Sequence, residues 1–376
     1  MTKNRLELLH DAGQSIWLDF IDRRILRNGD LARRIKEDAL TGMTSNPTIF
    51  EKALAEGDLY DDQMRGAPEG RSALELFELV VTSDVRDACD IFMPIYDATN
   101  GGDGYVSIEV SPGAANNSKE TVAEAQRLWA MVDRPNVMIK VPGTAEGAVA
   151  VRTLIGAGLN VNITLLFAID AHRRVIDAYI SGLADRLQAG KPVDRIASVA
   201  SFFVSRVDTE IDKRLDALAA KAGGDAQSRI LALRGKAAIA NAQLAYKLFL
   251  AEFATPKWAP LKAANARLQR PLWASTSSKN PAYRDVMYVE QLVGPDTVNT
   301  MPPGTIEAFR DHGEVLRTVD ADFSAAEHTM QELAAVGIDM TDVTNKLLSE
   351  GLASFQKSFE SLTAGLEKKR EALVQV

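Results

Sequence analysis

Cysteine is almost missing from this chain: 376 residues include one, Cys89. That excludes an intrachain disulfide and any multi-cysteine metal site, and it fits a reducing cytoplasm. Histidine is scarce as well. His10, His172, His312 and His328 stand far apart in no metal-ligand spacing, so no zinc site of three convergent ligands is expected. No apolar run approaches the roughly 20 residues that cross a bilayer, and residues 1–7 turn acidic and amphipathic before a signal core can form. Neither a membrane span nor an export signal is expected. Blocks of one charge are also lacking, because 43 basic and 51 acidic residues, net −8, are interspersed. Such a surface carries no electrostatic footprint for nucleic acid. There is no internal repeat or low-complexity segment. The glycine-rich run at 100–104 leads into a strand rather than from a strand into a helix, the wrong order for a dinucleotide fingerprint.

What is present is a soluble globular composition, 46% hydrophobic and 25% charged, able to bury a sizeable core. Short apolar, β-branched runs alternate with stretches of helical period, the sign of βα units around a parallel sheet. Strands are expected at 15–21, 40–45, 105–111, 137–142, 159–166, 196–203, 270–276 and 297–301. Eight such strands close a barrel. The expected architecture is a single (β/α)8 TIM-type barrel domain over 1–376, with helical insertions at 51–104 and 205–268. Ile169, Ile176, Tyr179, Ile180 and Leu183 fall on one face of an outer helix. His172 shares that face and reads as a satisfied packing histidine; Cys89 reads as a small core residue. Leu348, Leu352, Phe355, Phe359, Leu362 and Leu366 give a long amphipathic helix at 341–373, which packs on the barrel or meets a helical partner.

The informative residues are polar groups placed where strands should be apolar, since buried polar groups are costly unless paired. Asp19 follows Ile16-Trp17-Leu18. Glu109 follows Ser107-Ile108. Lys140 sits in Val137-Met138-Ile139-Lys140-Val141, and Asn162 and Thr164 share a face of the next strand. Alternation puts Met138 with Lys140, Ser107 with Glu109, and Trp17 with Asp19 on the barrel's inner face, near the strand ends where barrel chemistry is carried out. Burial disfavours the ammonium form of a lysine and makes a neutral amine accessible. A neutral amine attacks carbonyls, and the iminium it forms is an electron sink for breaking an adjacent carbon–carbon bond. Asp19 and Glu109 supply the acid and base that such chemistry requires. The competing reading is structural: Lys140 neutralised by a buried carboxylate, and the carboxylates paired with Lys140 or Arg206. Trp273 either walls the same interior or packs the barrel.

At these residues the sequence resembles the transaldolase family. The resemblance lies in Gly42-Met43-Thr44-Ser45-Asn46-Pro47-Thr48-Ile49-Phe50 and in Val137-Met138-Ile139-Lys140-Val141-Pro142-Gly143-Thr144 with Glu146-Gly147. It extends to Trp17-Leu18-Asp19, Ser107-Ile108-Glu109-Val110, Asn162-Ile163-Thr164-Leu165-Leu166-Phe167 and Ala274-Ser275, in order from about residue 15 to 310. The resemblance implies Lys140 as the Schiff-base lysine and Asp19 as the handler of the ketose C4 hydroxyl proton. It makes Glu109 the acid and base of imine formation and hydrolysis, through a water held by Thr164. Asn46 and Asn162 would bind the hydroxyls of a dihydroxyacetone unit; Ser201, Arg206 and Ser275 would take the phosphate. The implied reaction moves that unit from sedoheptulose 7-phosphate to glyceraldehyde 3-phosphate. Erythrose 4-phosphate and fructose 6-phosphate result, in the non-oxidative pentose phosphate pathway, without cofactor or metal.

The chain departs from the shorter members of that family at Ser275-Thr276-Ser277-Ser278-Lys279, where they carry a second phosphate-binding arginine. Lys279 stands as a point charge in its place. The insertions and the long last helix resemble the longer bacterial subgroup, some of whose members are fused to a phosphoglucose isomerase. They favour a transferase over a class I aldolase that releases the three-carbon unit to water. A non-catalytic sugar-phosphate binder would have lost one of Asp19, Glu109, Lys140 or Thr164, and none is missing. The expected protein is a cytoplasmic enzyme of sugar phosphates, monomer or homodimer, without nucleic-acid or membrane partners.

Overall fold

The computed structural model describes residues 3–55, 58–68 and 70–374; Met1 and Thr2 of the acidic start, and positions 56, 57 and 69 of the first expected insertion, lie outside them. Eight strands alternate with helices: β1 (Gln14–Asp19), β2 (Leu40–Thr44), β3 (Tyr105–Glu109), β4 (Val137–Pro142), β5 (Val161–Leu166), β6 (Ser198–Phe203), β7 (Gln269–Ala274) and β8 (Thr297–Met301). Each pairs in parallel with the next, and β8 returns to β1, closing a (β/α)8 barrel. No helix among the described residues is long and apolar enough to cross a membrane.

All eight strands fall where the sequence places them, with ends that differ for local reasons. β1 stops at Asp19 rather than 21 because the Asp22 carboxylate caps the Arg23–Arg27 helix, accepting from Arg24 N at 2.5 Å. β3 stops at Glu109 because Pro112, which has no N–H, opens a 3₁₀ turn at Pro112–Ala114. β5 starts at Val161 because Gly158, at φ +102°, ends the Ala145–Ala157 helix just before it. β7 stops at Ala274 because Ser275 takes φ +57°.

The two expected insertions are partly the barrel's own outer layer. The Ala73–Ala98 helix packs on β2 and β3, and the Ala237–Glu252 helix packs on β7, so each is a crossover helix of its βα unit. The Met340–Val374 helix lies on the barrel as a strap. Lys346 pairs with Glu210 and Arg214 with Asp342, both at 2.5 Å, near its start. Thr48 and Ser358 hydroxyls meet at 2.8 Å midway, and Lys369 pairs with Asp61 at 2.7 Å near its end. Phe355, Leu362 and Leu366 are buried, so the apolar stripe belongs to the core.

Inside the barrel, the N-terminal half is closed by one polar plug. Asp103 accepts from Trp17 Nε1 at 2.9 Å and from the Ser15 hydroxyl, while Arg270 donates to Ser15 Oγ at 2.7 Å. Gly42 on β2 makes room for the indole: a Cβ there would stand 2.5 Å from Trp17 Nε1. The floor is thereby full, and polar side chains above it face the C-terminal mouth.

Candidate active site

Strand register sets three residues at one level. Glu109 on β3 is paired with Lys140 on β4, and Lys140 with Asn162 on β5. All three point inward, as alternation predicts. Lys140 Nζ lies 3.0 Å from Glu109 Oε2 and donates to the Ser45 backbone carbonyl at 2.9 Å. The two side chains are only 7% and 3% exposed. The ion pair that competed with the nucleophile in the sequence is therefore present, with the partner that lysine chemistry requires. Burial raises the Glu109 carboxyl above the usual carboxylate range, opposed by the Lys140 ammonium and reinforced by the charge of Asp19. A carboxylate held in that way is a ready acceptor for a lysine proton.

The groups around this pair are held firmly. The Ser45 hydroxyl donates to Ser107 O at 2.8 Å, which fixes the turn that presents its carbonyl to Lys140. Asn162 donates to Ser107 Oγ at 3.0 Å and accepts from Ser201 Oγ at 2.6 Å, so both ends of its amide are oriented. Ser201 is thus committed to Asn162, and the serine next to Arg206 that meets Ser275 is Ser205, their hydroxyls 2.9 Å apart. Thr164 faces the same interior fully buried, and its Oγ1 has no hydrogen-bond partner among the described residues. An orphaned buried hydroxyl in a site of fixed neighbours is a place for a bound water or substrate oxygen. Asn46 caps the Pro47–Ala55 helix through its side-chain oxygen, which accepts from Ile49 N at 3.0 Å; its Nδ2 donor has no partner among the described residues.

Asp19 ends β1 at the mouth, half-buried, accepting from Thr44 Oγ1 at 2.7 Å. Burial raises its carboxyl above the ordinary range, while Lys140, the Thr44 hydroxyl, Arg206 and Lys279 pull the other way. Arg206 opens the Ser205–Ala219 helix, half-buried, its guanidinium 5.2 Å over the Phe203 ring. It has no hydrogen bond or ion pair among the described residues, and burial lowers it from its ordinary value. Arg206 follows Ser205 at a helix N-terminus, and the Ser205 hydroxyl meets that of Ser275, so the elements of an anion site are gathered at this strand end. Lys279 is exposed and donates to Ser277 Oγ at 2.8 Å. The strap passes close by: a Cβ on Gly351 would stand 2.8 Å from Leu165 Cδ2 and 3.7 Å from Arg206 Nη1.

Several sequence expectations resolve here. Trp273 does not face the site; its indole donates to Leu292 O at 3.1 Å and packs edge-on against Phe202. Ser275 escapes the parity it would share with Trp273 because its positive φ turns the chain at the strand end. His172 packs against Phe202 as expected, but neither ring nitrogen has a partner among the described residues, and burial pushes it down to about 3. Cys89 is buried, its thiol raised by burial. No group of described residues is arranged to hold a metal. Four contributors escaped the sequence: the Ser45 carbonyl, which no side chain signals; Ser205, hidden at a helix start; and Thr44 and Thr300, whose hydroxyls lie 2.6 Å apart. Inward parity on β2 and β8 was the signal for the threonines. A groove of about 750 Å³ beside the mouth is lined by Thr144, Leu165, Phe167, Leu348 and Leu352 and not by Lys140.

A closed (β/α)8 barrel whose interior lysine is paired with a carboxylate defines a barrel suited to carbonyl chemistry. The match to the family model described as Transaldolase/Fructose-6-phosphate aldolase spans residues 16–366, and the chain belongs to that family. It is 48% identical over 359 residues to a protein named "Transaldolase" from Thermobifida fusca (strain YX), covering 95% of this chain and 96% of that one. It is 44% identical over 380 residues to a "Transaldolase" from Trichodesmium erythraeum (strain IMS101), covering 100% of both. A "Transaldolase 2" from Streptomyces avermitilis is 46% identical over 370 residues, 98% of each chain.

Proposed function

We propose that this chain is a transaldolase, a class I transferase of ketone units that carries dihydroxyacetone from sedoheptulose 7-phosphate to glyceraldehyde 3-phosphate on Lys140. The observation that carries the reading is the buried Lys140–Glu109 pair at 3.0 Å. Glu109, raised by burial, takes a proton from the Lys140 ammonium and frees the amine, which adds to the ketose carbonyl. The same carboxyl then passes its proton, through a water held by Thr164 Oγ1, to the hydroxyl of the adduct, which leaves as a second water as the iminium forms. Asp19 accepts the C4 hydroxyl proton as the C3–C4 bond breaks, its electron pair moving into the iminium to leave an enamine. An aldose phosphate departs. The enamine carbon then attacks the acceptor aldehyde, Asp19 returns its proton to the new hydroxyl, and hydrolysis through Glu109 regenerates the lysine.

Asn162, fixed by Ser107 and Ser201, and Asn46 bind the hydroxyls of the three-carbon unit. Arg206, with Ser275, Ser205 and the helix start, takes the phosphate; Lys279 adds a distant point charge. The helical additions and the strap belong, in this reading, to one catalytic domain in a cytoplasmic enzyme. The test is acceptor dependence. Fructose 6-phosphate with erythrose 4-phosphate should give rapid turnover, and fructose 6-phosphate alone almost none; fast cleavage without an acceptor would instead make the chain an aldolase.

A further inference from the structure

The mouth holds a hydrogen-bond chain that the mechanism above does not use. Thr300 on β8 sits in register beside Trp17, and its hydroxyl lies 2.6 Å from that of Thr44 on β2. Thr44 in turn donates to Asp19 Oδ1 at 2.7 Å. The two threonines are 4% and 2% exposed. A hydroxyl has one proton to give. Thr44 gives its proton to the carboxylate, so Thr300 is the donor in the Thr300–Thr44 bond. The chain therefore has a direction, from β8 past β1 to β2 and back to the carboxylate at the end of β1.

We propose that Thr300 is a positioning residue for the transfer reaction: by donating to Thr44 it holds the Thr44 proton on Asp19 Oδ1 and leaves Oδ2 to handle the substrate hydroxyl. The proposal rests on the reading of Asp19 as the base. Asp19 has no ion pair among the described residues, so the Thr44 bond is what fixes its rotation. A threonine rotor is otherwise free to turn to a nearby backbone carbonyl. Filling a Thr44 lone pair with a donated proton both holds that rotor and strengthens its outgoing bond. The charged groups acting on Asp19 are Lys140, Glu109, Arg206 and Lys279. None of them bonds Thr300, whose effect on Asp19 runs through Thr44.

The test is the pH profile of kcat and kcat/KM for transfer from fructose 6-phosphate to erythrose 4-phosphate. The wild type is compared with Thr300→Val, Thr300→Ala, Thr300→Ser and Asp19→Asn. A bond donated to the charged carboxylate favours it, so weakening that bond makes Asp19 harder to ionise. Thr300→Val and Thr300→Ala should lower kcat about 3- to 10-fold, the scale of one hydrogen bond. Their acid limb should move to higher pH with KM within about twofold, and Thr300→Ser should restore both. An acid limb unmoved in the valine and alanine variants, or a loss that serine does not rescue, overturns the proposal while leaving Asp19 as base. Wild-type turnover by Asp19→Asn removes the reading beneath it, a result distinguishable from the first.

Discussion

The two ends of the barrel interior are built from the same residue types and differ in how fully they are paired. At the floor, Asp103 is shared by Trp17, Ser15 and Arg270. At the mouth, Thr164 Oγ1 is orphaned, Arg206 is unpaired among the described residues, and Asp19 and Glu109 are both raised by burial. Satisfied polar groups hold a barrel shut; unsatisfied ones store the difference that a substrate makes good. Substitutions at the floor should therefore cost stability, and substitutions at the mouth should cost rate.

The largest expected effect is at Lys140. Lys140→Ala should fold and lose turnover to background, because no iminium forms without the amine; a steady-state assay on the folded variant checks this. Next is Asp19→Asn, expected to lower kcat by about 10²- to 10⁴-fold, the range of a lost general base. As the proposed base Asp19 acts ionised, and its carboxyl is raised in the wild type, so the rate should fall with acid at a pH above the ordinary aspartate range. Stability has the opposite sign. Above the unfolded pKa the unfolded chain releases this proton more readily, so the folded state loses stability as pH rises through the folded pKa. Asp19→Asn should thus melt higher than the wild type at neutral pH, with the advantage vanishing below the unfolded aspartate pKa.

The floor gives the converse. Asp103→Ala leaves Arg270, Ser15 and the Trp17 indole without their acceptor and should destabilise by about 3–5 kcal/mol, while kcat per folded molecule stays near wild type. Chemical denaturation with a parallel activity assay separates the two. A large loss of kcat at full folding would break the comparison. Smallest is Lys279→Ala: exposed and, among the described residues, bonded only to Ser277, Lys279 should change KM by less than about threefold, and less at high salt.

The fold was legible in the sequence because buried parallel strands and their outer helices have distinct periods, and the interior pair Lys140–Glu109 because charge inside an apolar strand stands out. What was hidden has physical causes as well. Ser45 contributes a carbonyl, which every residue has. Thr300 is β-branched and so looks like an ordinary strand residue. Ser275 breaks parity by a backbone rotation that no side chain announces. The resemblance pointed Ser201 at the phosphate, but its partner in the structure, Asn162, is set only by the stagger between β5 and β6.

The most direct measurement of the central claim is borohydride reduction in the presence of fructose 6-phosphate, followed by peptide mass mapping. The account predicts one reduced three-carbon or hexose adduct, carried by Lys140 and absent from Lys140→Ala. An intact, active enzyme that forms no adduct, or carries it on another lysine, would contradict it.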